Sequence, residues 1–522
     1  MKEIKLFSLV VLSLFLFAFS ANGQNTLEQK YKLAQSYENS GKFEEAERIY
    51  KEIYKQDRSN YKYFAGLVKT LRAQSEYSEM LPLVKDRIKM SPNGELYILL
   101  GELYWRKGET ENANEAWDNA LRRFPSKSIF QATAQNQADL QLFGKAITTF
   151  KNARDHFDEP SLFSDNLSKL YIATGNYRDG LDEVINTLLR NGDLAKAQGR
   201  TYAFMTNDEA KSYIDKKLKD ISERKSDNLL IQELYSWFLR TTGELDKAFS
   251  VIKRIDDLRK SKGRTILYFA NNARDDGQYD IALKAYSHII SQGKKNKHTP
   301  SALYGFTRTL EKKLRDKDDF TDEEIEEVIA SYDKIIEDYP GTSHASQAYF
   351  RKAEIYYNLL KDYDTAQENL KTMMETSRYA NLLDDAANLL GEIYLSKGEI
   401  DNAARISDEI VSSRSNSQEE KNIAKLRLAD IQFYRGNTDS AKSLYSELSN
   451  ITNSDIANDA LKKIVLFDKN KDLISALKKF GKAAFLRYQD EYKEAVKLYD
   501  QIIAVQTETD LAQRSFLEKA EE

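Results

Sequence analysis

The chain has 522 residues, 41% of them hydrophobic and 31% charged, with only 21 Gly, 6 Pro and no Cys. Its 78 Lys and Arg face 82 Asp and Glu, a net charge of −4 with both signs interspersed, which excludes the basic arm of a nucleic-acid binder and an acidic tail. That length holds several domains or one repeat array, and without cysteine its stability has to come from burial alone.

At the start, Lys2 and Lys5 precede an apolar run from Leu6 to Phe19, broken by Ser8 and Ser13 and followed by the small-residue segment Ser20-Ala21-Asn22-Gly23-Gln24. The order basic, apolar, small predicts a secretory signal peptide over residues 1–23, cleaved after Gly23. The apolar run is short for a membrane span, so an uncleaved anchor is the alternative. No cysteine follows the signal, which removes a lipoprotein anchor and leaves a periplasmic or otherwise exported protein as the expectation.

From residue 24 onward one pattern recurs at a period of roughly 34 residues. The phrases GELYWRKGETENA from Gly101 and GEIYLSKGEIDNA from Gly391 are nearly the same. Turn positions recur at Gly41, Ser75, Gly108, Gln141, Gly175, Gly243, Gly277, Lys361, Gly398 and Gly436. Before them stand large residues (Tyr37, Leu71, Tyr104, Tyr171, Leu239, Tyr394), and after them small ones (Ala46, Ala113, Ala146, Gly180, Ala248, Ala282, Ala366, Ala403, Ala441). Further on come the aromatics Tyr50, Trp117, Phe150, Tyr286 and Tyr445. Residues three, four and seven apart share a helix face, so each unit predicts two amphipathic helices joined by a tight turn. Glycine suits a turn of positive φ, the small residue permits close backbone approach, and the aromatics fill the space beside it. Pro92, Pro125 and Pro340 close units, and Pro82 is expected near the first turn of its helix.

In chain order this predicts an array over 24–191, an irregular unit over 192–228, a central pair over 229–292 and a polar insert over 293–327. A second array follows over 328–449, then a degenerate helix pair over 450–475 and a terminal unit with a capping helix over 476–522.

The pattern resembles the tetratricopeptide repeat family over nearly the whole chain from Thr26. The resemblance implies an all-α solenoid of stacked helix-turn-helix hairpins wound as a right-handed superhelix with a concave groove. It also implies that ligands lie on the inner face of each first helix. Carried over residue by residue, that face holds Lys62, Lys69, Arg72, Trp105, Arg106, Lys169, Trp237, Arg240, Asn271, Arg274, Tyr434, Arg487 and Tyr488. The carboxylate clamp of the family's chaperone-binding members is not matched, because Leu267 stands where that clamp has lysine and only Asn271 fits.

Catalytic chemistry is not expected. The four histidines (His156, His288, His298, His344) lack metal-ligand spacing, and no phosphate loop, dinucleotide fingerprint, nucleophile elbow or calcium loop occurs. Acidic pairs such as Glu44-Glu45 and Asp384-Asp385 read as solvated helix surface. The chain is therefore expected to be a non-enzymatic scaffold with no cofactor and no metal, binding protein or peptide partners, acidic ones included. Nucleic acid is not expected, and membrane contact only through a partner or the uncleaved signal. Two alternatives remain: a component of an envelope secretion or polysaccharide-export machine, and a glycan or cell-wall binding module that stacks on Trp105 and Trp237.

Overall fold

A computed structural model of the chain describes residues 26–317, 319–413, 417–451, 455–505 and 507–520, without the side chains of 380 and 381. The expected signal peptide lies outside the described residues. Among the described residues every regular element is a helix. The chain divides into two compact units, 1–244 and 245–522, a boundary that falls inside the central pair expected over 229–292.

The first unit runs through α1 (26–39), α2 (Phe43–Gln56), α3 (Tyr61–Ala73), α4 (Tyr77–Met90), α5 (Gly94–Arg106), α6 (Thr110–Arg123) and α7 (Lys127–Asp139). It continues with α8 (Phe143–Phe157), α9 (Ser164–Ala173), α10 (Tyr177–Asn191), α11 (Leu194–Phe204), α12 (Asp208–Arg224) and α13 (Leu229–Thr241). The second unit holds α14 (Leu245–Leu258), α15 (Arg264–Asp275), α16 (Tyr279–Ile290), α17 (Thr299–Arg315), α18 (Asp322–Asp338) and α19 (Ser343–Ile355). A π turn, Tyr356–Leu360, extends α19. Then come α20 (Tyr363–Thr376), α21 (Ala380–Ser396), α22 (Ile400–Ser412), α23 (Gln418–Tyr434), α24 (Thr438–Ser449), α25 (Asp455–Lys469), α26 (Ile474–Tyr488), α27 (Tyr492–Val505) and α28 (Asp510–Ala520).

Each of the ten turn positions marked by the period has positive φ, from +54° at Lys361 to +81° at Gly108. The residue that follows donates its N–H back into the first helix, to the carbonyls of Tyr37, Leu71, Tyr104, Tyr171, Leu239 and Tyr394 at 2.8–2.9 Å. This bond satisfies a carbonyl that the helix end would leave orphaned, and it forces the left-handed residue between. Ser75, Gln141 and Lys361 adopt that conformation without being glycine, at a cost that the hairpin packing offsets.

The small residues past the turns are fully inaccessible: Ala46, Ala113, Ala146, Ala248, Ala282, Ala366, Ala403 and Ala441 all have 0% exposure. Tyr50, Trp117, Phe150, Tyr286 and Tyr445 are the large buried side chains beside them. Three first-helix glycines make room for these rings. A Cβ on Gly66 or Gly305 would lie 2.4 Å from the ring of Tyr50 or Tyr286 in the preceding hairpin, and one on Gly101 2.4 Å from Trp117 of its own. Burial pushes the Tyr286 hydroxyl up to about 12.

Where the sequence predicts breaks, the structure holds helices. Residues 192–228 contain the complete hairpin of α11 and α12. Its turn relies on Asn207, whose side chain accepts from the Ala210 N–H at 2.9 Å, instead of on a left-handed residue. Within the polar insert expected over 293–327, residues 299–315 form α17, and α18 starts at Asp322 on a capping box of Thr321 and Glu324. Among the described residues of 450–475 lie α25 and the first two residues of α26, where a degenerate helix pair is expected. Pro82 sits at the sixth residue of α4, past its first turn.

Two alanine substitutions separate the roles of glycine. Gly199, exposed within α11 with open space around its Cα, should gain about 0.5–1 kcal/mol on replacement by alanine. Gly305→Ala should instead destabilise, by about 1–3 kcal/mol of overpacking against Tyr286 less the same helix gain. Thermal and urea melts of both variants check the opposite signs.

Candidate binding surface

Residues three and four apart on the first helices share a face, and the structure places the thirteen sequence-derived residues as follows. Lys62 on α3 is exposed, while Lys69 pairs with Glu38 of α1. Arg72 reaches α5, where its Nη2 donates to Glu102 Oε2 at 2.9 Å. Arg106 Nε donates to Glu102 Oε1 at 3.0 Å, its guanidinium lying 4.7 Å from the ring centre of Tyr77. Asn136 of α7 adds a bond to the same carboxylate at 3.2 Å, and Glu102 is 5% exposed. Trp105 is half-buried, 6.4 Å from Trp117, whose Nε1 donates to Asn136. Lys169 lies 3.6 Å from Asp165, which also receives Lys196 and Arg200 from α11 at 2.6 Å. Burial pushes the Asp165 carboxyl up, and these three cations outweigh it, holding it below the ordinary range. Trp237 is half-buried on α13 and Arg240 is exposed there.

In the second unit Asn271 accepts from the Tyr286 hydroxyl at 2.6 Å, and Arg274 pairs with Asp275 at 2.9 Å. Tyr434, Arg487 and Tyr488 meet an intramolecular seam. Tyr434 stacks on Phe485 of α26 at 5.2 Å, Tyr488 donates to Glu392 of α21, and Arg487 pairs with Glu518 of α28. Along this seam α26 lies so close to α23 that a Cβ on Gly481 would stand 2.5 Å from the Phe433 carbonyl oxygen.

What the residue-type reading missed is the set of carboxylates that hold these cations. Glu102 and Glu392 are the glutamate of the repeated GE(L/I)Y phrase, and Glu392 accepts from the buried Arg427 of α23 at 2.7 Å. Glu183 of α10 takes both terminal nitrogens of Arg154 of α8, at 2.7 and 2.6 Å.

The densest such node is Glu311 on α17, at 1% exposure. Its oxygens accept from Arg308 at 2.8 Å, Arg315 at 3.0 Å, Arg351 of α19 at 2.7 Å and the Tyr332 hydroxyl of α18 at 2.6 Å. Arg351 also lies 2.5 Å from Glu354. Burial pushes the Glu311 carboxyl up, but Arg351 and Arg308 more than offset it and hold it below the ordinary carboxyl range. Glu354 goes the other way: burial and the neighbouring Glu311 outweigh Arg351 and raise it.

Among the described residues no group of three or more His, Asp or Glu could hold a metal ion, and no helix is long and apolar enough to cross a membrane. His156 packs against Phe130 and Phe157, and His344 lies 3.1 Å from Ser301.

Replacing Glu311 by alanine strands Arg351 and the Tyr332 hydroxyl and should cost about 3–5 kcal/mol, read as a urea midpoint. Because the folded pKa is depressed, the stabilisation is complete above the ordinary carboxyl range and lost as the pH falls through the folded value. Glu311→Ala should therefore lose less further stability on acidification than the parent chain.

A comparison with curated proteins returned no match. Among solved structures, the APC/C hetero-tetramer Cut9-Hcn1 is similar at 14% identity, over 93% of this chain and 95% of that one, with a TM-score of 0.28. Naa15/Naa10 bound to HypK-THB is similar at 14% identity, over 94% and 77%, with a TM-score of 0.26. The P58(IPK) TPR domain is similar at 15% identity, over 85% and 99%, with a TM-score of 0.23. The family model described as tetratricopeptide repeat matches residues 30–60, the span of α1 and α2, so this hairpin is a tetratricopeptide repeat.

Proposed function

We propose that the chain is a non-enzymatic interaction scaffold that binds peptide or protein partners on the face of its first helices, after export across the inner membrane. The observation that carries the reading is the repetition itself. One hairpin design recurs through both units, and its first helices present half-buried Trp105 and Trp237 beside the exposed Arg106 and Arg240. Aromatic rings beside arginine are what binding hot spots favour. The basic-apolar-small order of residues 1–23 supports export. Half-burial of Trp105 and Trp237 also suits glycan stacking, and a place in an envelope secretion or polysaccharide-export machine is the same scaffold with its partner in the envelope.

Crosslinked affinity capture of the full-length gene product from the envelope fraction, read by mass spectrometry, tests this. One stoichiometric partner and a native N-terminus at Gln24 are expected. Lys62→Glu with Arg240→Glu should weaken capture while changing stability by less than about 0.5 kcal/mol, because both side chains are exposed. Undiminished capture by that variant sinks the first-helix reading, an intact Met1 replaces cleavage after Gly23 with the uncleaved anchor, recovery of the chain from the cytoplasmic fraction sinks export, and recovery of murein or glycan in place of protein shifts the function to glycan binding.

A further inference from the structure

We propose that Arg308, Arg315 and Arg351, gathered around Glu311, form a receptor for a side-chain carboxylate of an acidic peptide segment in the partner. The inference rests on the scaffold reading and names the chemistry of what that surface recognises.

The cluster draws on three helices: Arg308, Glu311 and Arg315 on α17, Tyr332 on α18, Arg351 and Glu354 on α19. The spacing 308, 311 and 315 puts the α17 members on one face. Glu311 sits at the bottom, and the guanidiniums stand above it with side-chain exposures of 32% for Arg308, 36% for Arg315 and 22% for Arg351.

Counting donors shows what is left over. A guanidinium carries five N–H groups in a planar fork. Arg351 commits Nε and Nη2 to Glu311 and Nη1 to Glu354. Among the described residues Arg308 commits Nη1 and Arg315 Nε, both to Glu311. Most of the forks of Arg308 and Arg315 therefore remain for an acceptor from outside, already oriented by the buried carboxylate beneath.

Charge selects the occupant. Three guanidiniums against Glu311 and Glu354 leave one positive charge, which a single carboxylate neutralises. A phosphate of nearly two charges exceeds that single positive charge. A guanidinium fork can take a carboxylate through two parallel N–H···O bonds.

The test titrates the full chain with a fluorescein-labelled poly-glutamate peptide, acetylated and amidated so that only side-chain carboxylates are offered, and reads anisotropy. Binding that weakens with salt is expected. It should fall about tenfold or more in Arg308→Gln with Arg315→Gln, which keeps Arg351 on Glu311. Should that pair melt early by circular dichroism, Arg308→Lys with Arg315→Lys replaces it, keeping the charge and losing the fork. A drop in affinity then supports the receptor, and the parent affinity overturns it. No binding of the amidated peptide, or binding only of a version with a free C-terminal carboxylate or a phosphate, also overturns it. If the glutamine pair loses nothing while the captured partner is still lost on Lys62→Glu with Arg240→Glu, the receptor falls and the scaffold reading stands.

Discussion

A hairpin of two short amphipathic helices cannot hide its own apolar stripe, so it folds only against a neighbour. Everything regular in this chain serves that contact. The left-handed turn residue brings the two helices back on each other, the inaccessible alanine past the turn lets them close, and the ring of Tyr50, Trp117 or Tyr286 fills a gap left by a glycine. Because Gly66 and Gly305 receive rings from the preceding hairpin, the same device that builds one unit also locks it to the next.

Superimposed on this apolar seam is a polar one. Glu102, Glu183 and Glu311 are buried acids, and each reaches arginine on a neighbouring helix of the same kind: α3 to α5, α8 to α10, α17 to α19. Taking such pairs out of water costs several kcal/mol per ion, and the attraction recovers little net stability. What they add is discrimination: hydrophobic stacking tolerates sliding by a helical turn, whereas a guanidinium removed from its buried carboxylate does not. The arginines that cross between helices, Arg72, Arg154 and Arg351, thus hold the stack in register, whereas Arg308 and Arg315 reach Glu311 within their own helix.

The proposed recognition face was legible only in outline. The resemblance to the repeat family pointed to Arg72 and Arg106 and could not reveal that both end on Glu102, since the partner glutamate sits inside a phrase whose repetition reads as packing. Tyr434, Arg487 and Tyr488 fit the repeat equally well, yet α26 lies against α23 and spends Tyr434 and Tyr488 on its own seam while Arg487 turns to α28. Arg308 and Glu311 lie inside the polar insert expected over 293–327, where the turn spacing lapses, and Arg351 lies in the array expected over 328–449, so no sequence spacing joins them.

The sequence by itself determined the helical hairpin, its turns and its core, because those depend on local spacing: positive φ at ten marked positions, small residues buried after them, aromatics beside them. It also marked where the period lapses, though a turn capped by Asn207 or a capping box at Thr321 can close a hairpin without the usual glycine. Only the tertiary structure decided which charges meet. An ion pair joins residues some thirty to forty positions apart, such as Arg72 with Glu102 or Arg351 with Glu311, and its existence depends on the stacking of whole hairpins and on the water they exclude.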